Sequence, residues 1–193
     1  MPSPAPKPKR TVARTTYESP RLTIAVAPER DHIAGPVGAP LTLVEYGDYQ
    51  CPYCGAAYPE VKKVQKKLGP RLQFVFRNFP ITTAHQFAMR AAETAETASA
   101  QGKFWEMHDF LYEHQDTLGD DQRALAYAKS LGLNVLQIVK ELDLHTHAGR
   151  IEEDFMGGVR SGVNGTPTFF VNGVRYEGQP LAEDLLAVLE SSA

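Results

Sequence analysis

Cys51 and Cys54 are the only cysteines in 193 residues, and in Cys51-Pro52-Tyr53-Cys54 they stand one helical turn apart. A disulfide across two residues closes so small a loop that it removes little entropy from the unfolded chain. A structural staple is therefore a poor reading, and reversible oxidation or metal binding remain. A metal site needs about four ligands, for which the two cysteines would have to recruit from six histidines. A strand before the motif and a helix after it favour a redox pair instead. A thiolate at a helix N-terminus lies beside unpaired N–H groups and the positive end of the macrodipole, which lower its pKa. That makes Cys51 the attacking sulfur. Cys54, one turn further in, is shielded and resolves a mixed disulfide by attacking back.

The elements around the motif follow from periodicity. Residues 41–46 read as a strand with Leu41, Leu43 and Glu45 on one face. A carboxylate on an apolar face is desolvated, so its pKa rises and it can exchange a proton with Cys54; an exposed strand-end glutamate with no role is the plainer alternative. Gly47 to Gln50 form a turn, and Pro52 suits the first helical turn. The helix carries Ala57, Val61, Val64 and Leu68 at helical spacing and stops at Gly69 and Pro70. Leu72, Phe74 and Phe76 begin a second strand, so the unit is βαβ and the two strands are expected parallel.

Upstream, residues 22–26 read as a short strand, and prolines and glycines from Pro28 to Pro40 as a loop. Downstream, 84–100, 104–111, 121–131, 135–144 and 147–162 read as helices, with Asn134 as an N-cap and Gly157 and Gly158 as a bend or hinge. His85 is read as a solvated helix-start residue, and His145 and His147 as a helix end and linker. Phe104, Met107, Phe110 and Leu111 are read as core. Residues 168–171 and 174–176 flank Asn172-Gly173, a hairpin signal, and Leu181, Leu185, Leu186 and Leu189 mark a closing helix. Pro167, just before the hairpin, is either an ordinary trans edge proline or a cis one.

Hydrophobic residues at 42% and charged residues at 22% sit near globular averages. Lys7, Lys9, Arg10 and Arg14 are set among prolines in a segment, 1–20, expected to be a disordered arm. With those four charges set apart, the net charge of −3 becomes −7 over the rest, which argues against a nucleic-acid surface. The sequence has no run as long as a membrane span and no apolar run of the secretory kind. A cytoplasmic protein is expected, or a periplasmic or other extracytoplasmic one if a signal has been trimmed.

Glu45 before Cys51-Pro52-Tyr53-Cys54, an inserted helical block, and Gly165-Thr166-Pro167-Thr168 before a hairpin together resemble the DsbA-like branch of the thioredoxin superfamily. Phe79-Pro80 and the runs 101–108 and 162–167 look like that branch too, and the resemblance covers about residues 22 to 191. It implies an α/β thioredoxin fold with an inserted all-helical domain: a thioredoxin-fold domain from 21–83 and 163–193, with the helical insertion at 84–162. It implies a thiol-disulfide oxidoreductase with no cofactor beyond the redox-active disulfide Cys51-Cys54. Catalytic roles fall on Cys51, Cys54 and Glu45, and substrate binding on Pro52, Tyr53, Thr166 and Pro167. Pro167 matches the superfamily's cis-proline, which presents the backbone of Thr166 to an extended chain. Partners are then cysteine-containing proteins in extended form and a regenerating thiol reductase, glutathione or membrane oxidase; the protein itself is expected to be a monomer. DsbA proteins commonly carry histidine where this chain has Tyr53, so a weaker oxidant is expected. Alternatives are a glutathione-linked, glutaredoxin-like reductase, loosely supported by Gly178 and Asp184, and a holdase or binding module whose cysteines only switch affinity.

Overall fold

The structure, a computed structural model, describes residues 19–192. Five strands, β1 (His32–Ala34), β2 (Leu41–Gly47), β3 (Leu72–Asn78), β4 (Thr168–Val171) and β5 (Val174–Tyr176), form one sheet in the order β1-β3-β2-β4-β5. β2 and β3 run parallel, joined through helix α1 (Pro52–Leu68), while β4 lies antiparallel to β2 and β5 antiparallel to β4. Between β3 and β4 come α2 (Ala88–Ser99), α3 (Phe104–Glu113), α4 (Asp121–Ser130), α5 (Val135–Asp143) and α6 (Ala148–Arg160), and α7 (Ala182–Ser191) closes the described chain. This is the mixed α/β thioredoxin architecture. Asn134 caps α5, accepting from Gln137 N at 3.1 Å.

Both faces of the sheet are covered. Alternation puts Leu41, Leu43, Phe74, Phe76, Phe169 and Val171 on the face packed by α1, α3 and α7, and Val44, Tyr46, Val75 and Phe170 on the other, with Phe79, Phe155 and Val163. Glu45 therefore lies on the α1 face, which carries the cysteines.

Two expectations are corrected, and a third lies mostly outside the described residues. Residues 22–26 are not a strand: a single bridge joins Arg21 to Val174, and the carbonyls of Ile24 and Ala25 accept from the Arg77 guanidinium rather than from a ladder. The edge beside β3 belongs to β1, inside the expected loop. The arm expected over 1–20 lies, up to residue 18, outside the described residues, and Pro20 already accepts from Arg175 N at 2.8 Å. Finally, Gly157 and Gly158 are no hinge. α6 runs through them, buried, because a Cβ at Gly158 would meet the Phe79 ring at 2.8 Å and Tyr46 at 3.0 Å. Gly158→Ala should cost about 1 to 3 kcal/mol in urea unfolding, since the rings must shift to admit a methyl group.

Candidate active site

β2 delivers the chain to the site and α1 receives it. Cys51 is the extended N-cap residue and Pro52 opens α1, leaving the first-turn N–H groups unpaired in front of Cys51. The carbonyl of Cys51 accepts from Gly55 N at 3.0 Å, closing that turn. Both cysteines are free thiols; Cys51 is 4% exposed and Cys54 fully buried. The Cys51 thiol donates to Thr166 O at 3.3 Å, across 115 positions of sequence, and the Thr166-Pro167 bond is cis.

The electrostatics separate the two sulfurs. A hydrogen bond from the Cys54 thiol, outweighing the opposing effect of burial, brings Cys51 from an ordinary 9.0 down to about 5. Thr166 and the N–H groups of Cys54 and Tyr53 favour the thiolate further. Burial pushes Cys54 the other way, well above the usual thiol range, as do Cys51 and Glu45 beside it. Its sulfur accepts one backbone N–H, from Asp48 at 3.5 Å. Glu45, 2% exposed, is raised by burial, and secondarily by the Cys51 charge, to about 8. The structure thus brings all three expected catalytic residues together, the Cys51 thiol lowered in pKa and the Cys54 thiol and Glu45 carboxyl behind it both raised by burial.

Of the expected substrate-binding residues, Tyr53, Thr166 and Pro167 line one cavity of about 420 Å3, with Phe169, Tyr176 and Leu181 adding apolar wall. Pro52 is exposed at the start of α1 but does not line it. Tyr53 is 74% exposed, so its ring is available to a substrate rather than to the sulfur.

The sequence reading left several residues of the site unassigned. Gln115, in the turn after α3, donates to Tyr49 O at 2.7 Å and Cys51 O at 3.0 Å. Gln50 accepts from Phe87 N at 2.7 Å. His85, expected to be merely solvated, has Nδ1 2.7 Å from Asp48 Oδ2. Asp48 carried a local signal, since its side chain accepts from Gln50 N two residues on at 2.8 Å, the common aspartate turn. The other contacts are long-range and had none. His145 and His147 bind different carboxylates, Glu93 and Glu141, each at 2.9 Å.

Glu45 makes stability depend on pH. Because its folded pKa lies above its unfolded value of 4.5, the reduced protein binds the extra proton only when folded. Its stability should be greatest below that value and fall as pH rises toward about 8, by at most ~1.4 kcal/mol per pH unit from this group. Glu45→Gln should flatten that decline in urea titrations at pH 5 and 8 and alter the pH dependence of exchange; an unchanged pH dependence of exchange would remove Glu45 from the proton transfer.

Known proteins share this fold. Residues 28–191 match the thioredoxin family. BdbD from Bacillus subtilis, in its oxidised crystal structure, superposes with a TM-score of 0.78 at 25% identity, over 91% of this chain and 97% of that one. A thioredoxin-like oxidoreductase from Silicibacter pomeroyi follows at 0.70 and 26%, over 84% and 92%. The α-DsbA1 of Wolbachia pipientis, 18% identical with a TM-score of 0.73 over 86% and 92%, shares the fold. Among curated relatives, a Salinispora arenicola protein named Na(+)/H(+) antiporter NhaA 1 is 45% identical over 171 residues, which are 89% of this chain but 26% of that protein. The chain thus spans about a quarter of the length of the curated relatives it matches. With residues 28–191 matching its model, and with cysteines, buried glutamate and cis-proline loop in one place, the chain belongs to the thioredoxin family.

Proposed function

We propose that this protein exchanges disulfides with cysteines of other polypeptides through the Cys51-Cys54 pair. The observation that carries the reading is the Cys51 sulfur, its pKa brought down to about 5 at a helix N-terminus, held 3.3 Å from the Thr166 carbonyl beside an open cavity. In the oxidising direction a client thiolate attacks Cys51 of the disulfide, releasing the Cys54 thiolate, which takes a proton. A second client thiolate then attacks the mixed disulfide and expels Cys51 as a thiolate. The client loses two electrons and two protons, and the pair gains the electrons; no dissociable cofactor takes part. Glu45, protonated at neutral pH, is the proton store beside Cys54. An extended client segment lies along Thr166 and Pro167, with apolar side chains against Tyr53, Tyr176 and Leu181.

A low thiolate pKa stabilises the dithiol form and makes the disulfide the better oxidant, by roughly 30 mV per tenfold change in the equilibrium. The direction favoured is therefore oxidation, which requires an oxidising compartment; in a reducing one the pair stays dithiol and works as a reductant. With tyrosine at 53 the oxidant should be weaker than DsbA proteins with histidine there. Equilibration with glutathione buffers measures this, and a potential as oxidising as theirs would refute it. The name of the longer relatives describes ion transport. No helix among the described residues is long and apolar enough to cross a membrane, and ion transport is no part of the proposed activity.

The test is oxidation of a reduced, unfolded protein substrate and reduction of insulin. Failure in both, with client protection independent of Cys51, would leave a binding module. Turnover of glutathione mixed disulfides alone would favour the glutathione-linked reductase.

A further inference from the structure

One buried side chain at the redox turn takes no part in the exchange chemistry. Asp48, its side chain wholly buried, uses its backbone on both cysteines: its N–H faces the Cys54 sulfur at 3.5 Å, and its carbonyl accepts from Cys51 N at 3.1 Å. Its carboxylate is fastened in turn. Oδ1 accepts from Gln50 N at 2.8 Å; Oδ2 accepts from Ile81 N at 2.8 Å and lies 2.7 Å from His85 Nδ1. Ile81 and His85 belong to the segment between β3 and α2, so the carboxylate ties the turn that holds the sulfurs to the root of the helical block.

We propose that Asp48, with His85 as its outer partner, is the positioning pair of the redox site, fixing the turn so that the peptide groups around the two sulfurs keep their aim. This rests on the reading of Cys51 and Cys54 as the exchanging pair. Asp48 cannot shift without moving both the N–H on the inner sulfur and the bond that holds Cys51 ahead of α1. A carboxylate with three partners, two of them 33 and 37 positions away in sequence, has little freedom to shift. An aspartate serving only as an aspartate turn would need the Gln50 contact alone.

The test compares wild type with Asp48→Asn, His85→Ala and the remote core variant Ile138→Ala, all in the full chain. Asparagine keeps an acceptor for Gln50 N but turns an NH2 group toward Ile81 N–H. Two quantities are read: the equilibrium with glutathione and the pH at which the Cys51 thiolate appears by its ultraviolet absorbance. Asp48→Asn should move the glutathione equilibrium about tenfold toward the disulfide, about 30 mV more reducing, and raise the Cys51 pKa by about one unit. His85→Ala should move both in the same direction by about threefold. Ile138→Ala should lose stability to urea and leave both unchanged. His85 is partly exposed, with 19% of its side chain accessible, so that variant supplies the measurement if Asp48→Asn does not fold. Wild-type values in His85→Ala and in any folded Asp48→Asn overturn the proposal while leaving the exchange reading intact. A wild type that does not equilibrate with glutathione at all removes both.

Discussion

Cys51→Ser is expected to abolish exchange with protein substrates, by at least about a thousandfold, because a hydroxyl at that position stays protonated at neutral pH where the thiol is ionised. Cys54→Ala should behave differently. The nucleophile survives, so the first attack proceeds, but nothing resolves it, and the protein should accumulate as a mixed disulfide with its clients. The variant should also raise the Cys51 pKa above about 5, since the largest contribution holding it down is the hydrogen bond from Cys54. Rapid alkylation across pH measures that shift, and non-reducing gels show the trapped complexes. If Cys51→Ser retained insulin reduction, or if trapping required Cys54 rather than Cys51, the assignment of attacking and resolving sulfurs would be reversed. The burial of Cys54 at 0% exposure makes that reversal a strong test, because no client sulfur can reach it without opening α1.

Much of this site is legible in the chain itself. Cys-Pro-Tyr-Cys, the odd carboxylate in an apolar strand and the Thr-Pro step before a hairpin are each local signals; β2 and α1 join the first two, and the antiparallel pairing of β4 with β2 brings in the third. What the sequence hides is set by tertiary contact. Residues 22–26 have strand composition, yet the carbonyls of Ile24 and Ala25 go to Arg77, so apolar alternation there reports packing on the sheet rather than membership of it. His32–Ala34 joins the sheet with three residues amid proline and glycine, too short a run for periodicity to register. Asp48 looks like a turn residue because it is one; its reach to Ile81 and His85 depends on the path taken after β3. Tyr53, on which the resemblance hangs the potential, is mostly exposed to solvent, so its side chain adds nothing to what Cys54, Thr166 and the helix end do for the sulfur.

The largest stability effect is expected on the opposite face of the sheet. Arg77, 1% exposed, is the largest fully buried side chain among the described residues. Its Nε and Nη2 bind Asp31 at 2.9 and 3.1 Å, and its Nη1 donates to the Tyr46 hydroxyl at 2.9 Å and to Ile24 O at 3.1 Å. Asp31 also accepts from Ala27 N and Arg30. Removing one partner of such a pair leaves an uncompensated buried charge, so Asp31→Asn should cost about 3 to 5 kcal/mol at pH 7. Burial pushes the Asp31 carboxyl up, but the hydrogen bonds from Arg77 and Ala27 and the Arg77 charge outweigh it and hold it below 3.8. Its contribution is therefore complete above the unfolded value and lost as pH falls through the lower folded one, so the gap between wild type and Asp31→Asn should close only below about pH 4. Urea unfolding at pH 7 and at successively lower pH below 4 reads the gap and its closing, and a neutral-pH difference under about 1 kcal/mol would show the pair to be dispensable. The double variant Asp31→Leu, Arg77→Met should recover much of the loss, because an apolar pair carries no desolvation cost. Since Arg77 and Glu45 project from opposite faces of the sheet, the same variants should leave the glutathione equilibrium where it was, separating what holds the sheet together from what sets the chemistry of Cys51.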